Sequence, residues 1–164
     1  MTQLKLLIKK WRSDALLPKI AKKGDAGADC FINRFKKIID AQKQTTEELD
    51  VEQFTLQPLE RIGCCLGFAT LIPEGYYAAV VPRSGLAWWE GLSLVNTPGT
   101  IDAGYRNEWM ANIVNLSNHP VVLKKNEKIC QFILRKLEDY EIEVVEQLPD
   151  SERGMGGFGS TGKK

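Results

Sequence analysis

Hydrophobic and polar residues alternate in short runs along most of the chain. In KICQFILRK (residues 128–136), every second residue from Cys130 to Leu134 is apolar, whereas Gln131 falls on the other face. Similar runs are LKLLI, GYYAAVV, MANIVNL, PVVLK and YEIEVVE (140–146). A period of two is typical of half-buried β-strands, and turn formers separate these runs. The pattern therefore predicts an all-β sandwich or barrel.

Residues 34–53 depart from this alternation. The segment is charged, and Phe35, Ile38 and Ile39 recur at helical spacing. The stretch TTEE at 45–48 fits a helix-capping box. We expect a short helical insertion between strands, which either packs against the sandwich or binds a partner.

Composition limits the class of protein. The chain has 164 residues, of which 43% are hydrophobic and 26% charged, as expected for one globular domain. Its net charge of +1 argues against a broad nucleic-acid-binding surface. No apolar run reaches transmembrane length, and the charged N-terminus does not resemble a signal peptide. We expect a cytoplasmic protein that binds neither membranes nor nucleic acid stably.

Cysteine and histidine offer little chemistry. The four cysteines include the adjacent Cys64 and Cys65 and lack CxxC spacing, which favours reduced thiols over a disulfide framework or a zinc site. The single histidine, His119, lies in the turn-like stretch LSNHPVV. Catalysis by a Ser-His-Asp or Cys-His arrangement is therefore disfavoured.

Two polar stretches suit a phosphorylated ligand. GDAGADC carries Asp25 and Asp29, either of which could bind a hard cation such as Mg²⁺. VPRSGLAWW places Arg83, Ser84 and Gly85 after an apolar strand, which combines a guanidinium, a hydroxyl and free N–H groups. Each stretch is also compatible with an ordinary turn, with Arg83 paired to a surface acid.

The stretch NTPGTIDAGYRNEW (96–109) contains two turn sequences and predicts a hairpin. Asp102 could deprotonate a water and Tyr105 could stack on a sugar, or they could be a turn carboxylate and a packing ring. Gln131, an amide within an apolar strand, requires either a backbone or a ligand partner.

The segment RGMGGFGSTG (153–162) combines five glycines with an arginine, an aromatic ring and two hydroxyls. These groups suit phosphates and a base, on a backbone that can approach them closely. GFGSTGKK nearly fits the phosphate-loop pattern, but Lys164 stands where that pattern needs a hydroxyl residue. The segment is either a frayed chain end or a mobile backbone that contacts such a ligand.

Taken together and in this order, the stretches resemble the five motifs of the trimeric dUTP pyrophosphatase (dUTPase) family. They are DAGAD (25–29), PRSGLA (82–87), the segment 96–108 with TIDAGYR, KICQF (128–132) and RGMGGFGSTG (153–162). The resemblance covers nearly the whole chain except residues 34–53.

The resemblance implies a fold and an activity. The fold would be a jelly-roll-like β-domain over residues 1–149, with a flexible C-terminal arm at 150–164 closing over the active site. Three copies would share three active sites. The enzyme would hydrolyse dUTP to dUMP and pyrophosphate, which keeps uracil out of DNA and supplies dUMP for dTMP synthesis.

The resemblance also implies residue roles. Asp102 would activate the water that attacks the α-phosphorus, Mg²⁺ would bind the phosphates with Asp29 holding one of its waters, and Tyr105 would exclude a 2′-hydroxyl. The substrate-binding residues would be Arg83, Ser84, Gly85, Asn96, Thr100, Ile101, Tyr105, Met110, Gln131, Arg153, Phe158, Gly159, Ser160 and Thr161.

The chain departs from the family pattern in places. Asn107 replaces a glycine, and Lys128 replaces an arginine, which weakens a bidentate contact there. Trp88 and Trp89 are unusual, and we expect them at a surface or an interface. Two other functions stay open. One is a dCTP deaminase-like enzyme, which is disfavoured because Asn112 stands where its catalytic glutamate belongs. The other is a nucleotide-sensing module.

Overall fold

The computed structural model of the protein describes residues 4–157. In this part of the chain the strands are β1 (Leu7–Lys10), β2 (Lys19–Ile20), β3 (Ala28–Phe31), β4 (Arg34–Asp40), β5 (Thr45–Leu49), β6 (Gln53–Leu56), β7 (Arg61–Cys65), β8 (Phe68–Leu71), β9 (Tyr76–Pro82), β10 (Leu92–Leu94), β11 (Gly99–Ile101), β12 (Met110–Asn115), β13 (Val121–Lys124) and β14 (Lys128–Lys136), and the helix is α1 (Ser84–Glu90). The all-β prediction is confirmed.

Two five-stranded antiparallel sheets form the body of the fold, in the orders β10-β12-β7-β4-β5 and β11-β9-β14-β3-β2. The pairs β1–β8 and β6–β13 form two smaller sheets. Alternate residues point into one shared core; in β12, for example, Ala111 and Ile113 are buried. Trp109 lies within this core, with its ring centroid 5.2 Å from those of both Phe68 and Phe132. The architecture is the β-sandwich expected from the alternation, and it is jelly-roll-like, as the family resemblance implied.

The predicted helix at residues 34–53 is wrong, because this segment forms an antiparallel hairpin of β4 and β5. The spacing of its apolar residues does not mark a helix face. Phe35 is buried, whereas Ile38 and Ile39 are 42% and 58% exposed. Asp40 accepts hydrogen bonds from the backbone N–H groups of Gln42 and Lys43, which builds the turn. Pairing with β7 then extends the sheet, so that tertiary hydrogen bonds override the local spacing.

The strand predicted at YEIEVVE is also not formed. Tyr140, Ile142 and Val144 are between 77% and 94% exposed. Among the described residues, no strand pairs with this segment. An alternating sequence alone does not form a strand, because its backbone groups need a partner edge.

The segment 96–109 is not a hairpin either, because the strands that flank its second turn lie in different sheets. β11 pairs with β9, whereas β12 pairs with β7 and β10. The residues from Asp102 to Glu108 therefore form a loop that crosses from one sheet to the other. In residues 4–157, no helix is long and apolar enough to cross a membrane.

Candidate active site

The residues expected to contact phosphate lie together at one end of β9. Asp29 on β3 is the register partner of Gln131 on β14, and Gln131 is also opposite Val81 on β9. Arg83 follows the end of β9, and Ser84 begins α1. Strand pairing thus unites three motifs that are far apart in the sequence.

Asp29 is the electrostatic centre of this group. Its Oδ1 atom accepts a hydrogen bond from Arg83 Nε at 3.0 Å, and its Oδ2 atom lies 2.8 Å from Lys128 Nζ. The Asp29 side chain is 13% exposed, against 32% for Arg83 and 40% for Lys128. The cationic ends are therefore more accessible than the carboxylate between them, which suits them to a ligand with negative charge. Arg83 does pair with an acid, but this acid is Asp29 of the first motif.

Gln131 is held by its neighbours on both sides. Its Nε2 atom donates to the carbonyl of Pro82 at 3.3 Å, so the amide has a backbone partner. A Cβ atom at Gly27 would overlap Gln131 Oε1, so a larger residue there would require this amide to move. An open cleft of about 530 Å³ adjoins the group and is lined by Arg83, Leu86 and Lys128 among others.

A second group of candidate residues surrounds Asp102. Asp102 and Tyr105 are exposed on the crossing loop, and Thr100 lies on β11. An open cavity of about 540 Å³ is lined by Thr100, Asp102 and Tyr77, among others. Tyr105 donates its N–H to the carbonyl of Asp102 at 3.1 Å and its hydroxyl to the carbonyl of Glu108 at 3.2 Å. The loop is therefore braced by its own hydrogen bonds.

Asn96 and Met110 flank this second group. Asn96 lies in the turn before β11, with its amide packed near Gly99. Because β11 is an edge strand among residues 4–157, one side of its backbone has no strand partner in this part of the chain. The sulfur of Met110 lies over Gly63 and lines a separate cavity of about 330 Å³, not the one beside Asp102.

The two groups lie at opposite ends of β9. Ile101, next to Asp102, is opposite Ala78, whereas Arg83 follows the last residue of the strand. The five residue steps from Ala78 to Arg83 span about 16 Å at roughly 3.3 Å per step. A single chain therefore does not bring Asp102 next to Arg83.

The remaining candidate residues lie in the C-terminal segment. Arg153 is exposed, and its Nε atom donates to the carbonyl of Gly156 at 2.9 Å. Phe158, Gly159, Ser160 and Thr161 lie outside the described residues.

The positions of the four cysteines argue against a cysteine nucleophile. All four are buried and free. A hydrogen bond with Cys130 and burial raise the pKa of the Cys30 thiol well above its ordinary value, and burial raises the pKa of Cys65 to about 11. A thiol with a raised pKa stays protonated at neutral pH and does not attack. His119 is exposed in the loop between β12 and β13, as expected.

Sequence reasoning missed a buried ion pair behind the crossing loop. Arg34, only 4% exposed, donates two hydrogen bonds to Glu108 at 2.7 and 2.6 Å and two to Glu48 at 2.9 and 3.1 Å. Burial lowers the pKa of Arg34, but the hydrogen bonds to both carboxylates outweigh it and leave the pKa above its ordinary value. The sequence feature that could have indicated this ion pair is the arginine itself, which lies between the apolar residues Ile32 and Phe35.

The residues around Asp29 fit a magnesium ion whose ligands are mainly water and phosphate oxygens rather than protein side chains. Among the described residues, no three acidic, histidine or cysteine side chains cluster as metal ligands. Asp29 offers one carboxylate, and cations already contact both of its oxygens. A carboxylate has further lone pairs, so Asp29 suits an ion held through water and by ligand phosphates, as Mg²⁺ often is.

Known proteins resemble this chain in sequence and in fold. A sequence model of the dUTPase family matches residues 36–162. The deoxyuridine 5′-triphosphate nucleotidohydrolase of Fusobacterium nucleatum is 44% identical over 147 residues, which are 90% of each chain. The corresponding protein of Clostridium kluyveri is 38% identical over 97% of this chain and 99% of its own.

Among solved structures, a dUTPase mutant from Staphylococcus bacteriophage 80alpha, in complex with dUpNHpp, superposes with a TM-score of 0.76. It is 26% identical and covers 96% of this chain and 98% of its own. The all-β sandwich with these polar motifs is thus that of a nucleotide hydrolase. The chain belongs to the dUTPase family.

Proposed function

We propose that the protein hydrolyses dUTP to dUMP and pyrophosphate. The observation that carries the proposal is that the chain presents two groups suited to a nucleotide triphosphate: the cations held on Asp29 at one end of β9, and the exposed carboxylate of Asp102 beside an open cavity at the other. Family membership supports the same activity, as does the dUTP analogue bound to the related phage enzyme. In the cell this reaction would keep uracil out of DNA and supply dUMP for dTMP synthesis.

Asp102 acts as the general base in this proposal. A carboxylate within hydrogen-bond reach of a water can orient it and accept its proton as it attacks the α-phosphorus. Phosphoryl chemistry depends on positioning and charge neutralisation more than on a protein nucleophile. The burial of the cysteines and the position of His119 in an exposed loop therefore present no obstacle.

Arg83, Ser84, Gly85 and Gln131 bind the phosphates. Arg83 uses Nε for Asp29, so its terminal guanidinium nitrogens can donate to phosphate oxygens. When bound, Mg²⁺ would neutralise charge on the phosphates, with Asp29 holding one of its waters. In the C-terminal arm, Arg153 is proposed to contact the γ-phosphate.

The uracil is recognised at β11 and the sugar at Tyr105. The unpaired edge of β11, with Thr100 and Ile101, offers fixed backbone donors and acceptors, and Asn96 lies beside it. Uracil and cytosine differ in an acceptor versus a donor at the 4-position, so such groups can separate them. Tyr105 lies under the deoxyribose and leaves no space for a 2′-hydroxyl. Met110 is proposed to contact the substrate only in an assembly that joins its cavity to the site.

Because the two groups lie at opposite ends of β9, we propose that each active site takes them from different copies of the chain. A homotrimer with shared sites satisfies this requirement. Phe158, Gly159, Ser160 and Thr161, in the arm at 150–164, would close over the bound nucleotide and expel water.

The decisive experiment incubates the purified full chain with Mg²⁺ and each deoxynucleoside triphosphate, and measures pyrophosphate and ammonia. Selective pyrophosphate release from dUTP is the expected result. Ammonia release from dCTP would instead indicate a deaminase, which is unexpected because Asn112 is an amide. Binding of dUTP without turnover would indicate a nucleotide-sensing module. Either of these two results would overturn the proposal.

A further inference from the structure

Arg34 is a buried cation held between two carboxylates from different parts of the fold. It begins β4, whereas Glu48 belongs to β5 and Glu108 ends the crossing loop. The guanidinium bonds each carboxylate twice, and its side chain is 5% exposed. Such fork-to-fork pairing fixes direction as well as distance, which a lysine could not do at both carboxylates.

The Glu108 carboxylate is anchored on both sides. Besides Arg34, it accepts the backbone N–H of Gly67 at 2.8 Å, and its side chain is only 10% exposed. The next residue, Trp109, is buried and exchanges backbone hydrogen bonds with Leu66 and Phe68. The C-terminal end of the loop is therefore rigidly attached to the sheet that contains β4.

Tyr105 is connected to this anchor. Its hydroxyl donates to the backbone carbonyl of Glu108 at 3.2 Å, whereas the ring itself is 41% exposed. A continuous chain of contacts thus runs from Glu48 through Arg34 and Glu108 to Tyr105. Glu48, Arg34 and Glu108 do not line the cavity beside Asp102, and Tyr105 directly follows its lining residue Gly104.

We propose that Arg34 is a positioning residue for sugar recognition: by fixing Glu108, it holds the Tyr105 ring in the orientation that rejects a 2′-hydroxyl. The proposal rests on the proposed dUTP hydrolysis. It also gives a role to the β4–β5 hairpin, whose Glu48 completes the enclosure of the buried guanidinium. Because a misplacement of about 1 Å can change a rate ~100-fold, a small shift of the ring would suffice.

The test measures kcat and KM for dUTP and for UTP, which differs only in its 2′-hydroxyl. Arg34→Met and Glu108→Gln should each lower the dUTP preference, the ratio of the two kcat/KM values, about 10- to 100-fold. Arg34→Lys should recover part of it. Lys36→Met is the matched control, because Lys36 lies on the same strand, contacts Glu48 at 3.8 Å and should leave the ratio unchanged.

Tyr105→Phe keeps the proposal testable if Arg34→Met does not fold. It removes only the hydroxyl contact to Glu108, and should lower the dUTP preference while leaving the thermal unfolding midpoint close to that of the wild type. If Arg34 has only a structural role, its substitution should lower the unfolding midpoint, and the dUTP preference should stay unchanged in all variants. That result would overturn the inference. If the wild type hydrolyses no dUTP, the proposed function itself fails, and this outcome is distinct.

Discussion

The carboxylate of Asp29 lies 2.8 Å from Lys128 Nζ while it also holds Arg83. The carboxylate charge of Asp29 is thus divided between two cations, Lys128 and Arg83. Without Lys128, Arg83 would be the only cation on Asp29 and would be less available to a phosphate.

We therefore expect Lys128→Met to raise KM for dUTP about tenfold with a smaller change in kcat. The pair is partly exposed, so the loss of stability should stay at about 1 kcal/mol or less. Lys128→Arg should behave like the wild type, and Lys136→Met, on the exposed end of the same strand, serves as the control. An unchanged KM in Lys128→Met would show that this lysine does not influence the phosphate site.

Gly27→Ala should displace the Gln131 amide, because the added Cβ atom would overlap its Oε1 atom. We expect KM for dUTP to rise about tenfold, which corresponds to a loss of roughly 1.4 kcal/mol of binding free energy. The measurement is a double-mutant cycle with Gln131→Ala. In the Gln131→Ala background, Gly27→Ala should have little further effect on KM. Additive increases in KM would show that Gly27→Ala does not act through the Gln131 amide.

Shared active sites predict complementation between two inactive variants. Asp102→Asn should lower kcat by about 10²–10⁴-fold, as loss of a general base does, and should spare dUTP binding. Arg83→Ala should impair the other half of the site. Unfolding and refolding the two variants together should restore part of the activity, because some sites then combine an intact Asp102 with an intact Arg83. Absence of recovery, with mixed assemblies demonstrated by mass, would exclude shared sites.

Stability should depend on Glu48 in acid. Hydrogen bonds from Arg34 lower the pKa of Glu48 below 4.5, its ordinary value. A group with a lowered folded-state pKa stabilises the fold above its unfolded-state pKa, and this contribution is lost as pH falls through the folded-state value.

Chemical denaturation from pH 7 down to pH 3 would measure this contribution. The difference in unfolding free energy between the wild type and Glu48→Gln should be constant above about pH 5 and should shrink at lower pH. Glu47→Gln, on the neighbouring position of β5, is the control and should show no such trend. A difference independent of pH would contradict an ionic role for Glu48.

Much of the site could be predicted from the sequence, because its motifs are local. The residues of DAGAD, PRSGLA and KICQF specify their own short turns and strand faces, and the alternation in stretches such as MANIVNL reflects one buried face. These features depend on neighbours within a few positions. The sequence by itself therefore determined the β-class of the fold, five of its strands (β1, β9, β12, β13 and β14) and the candidate residues.

The tertiary structure decided what depends on distant partners. Residues 34–53 form a hairpin because β7 offers an edge, and YEIEVVE forms no strand because nothing in the described chain pairs with it. The separation of Asp102 from Arg83 along β9 and the enclosure of Arg34 by Glu48 and Glu108 follow from sheet order alone. Sheet order is set by long-range pairing and packing, which spacing along the chain does not encode.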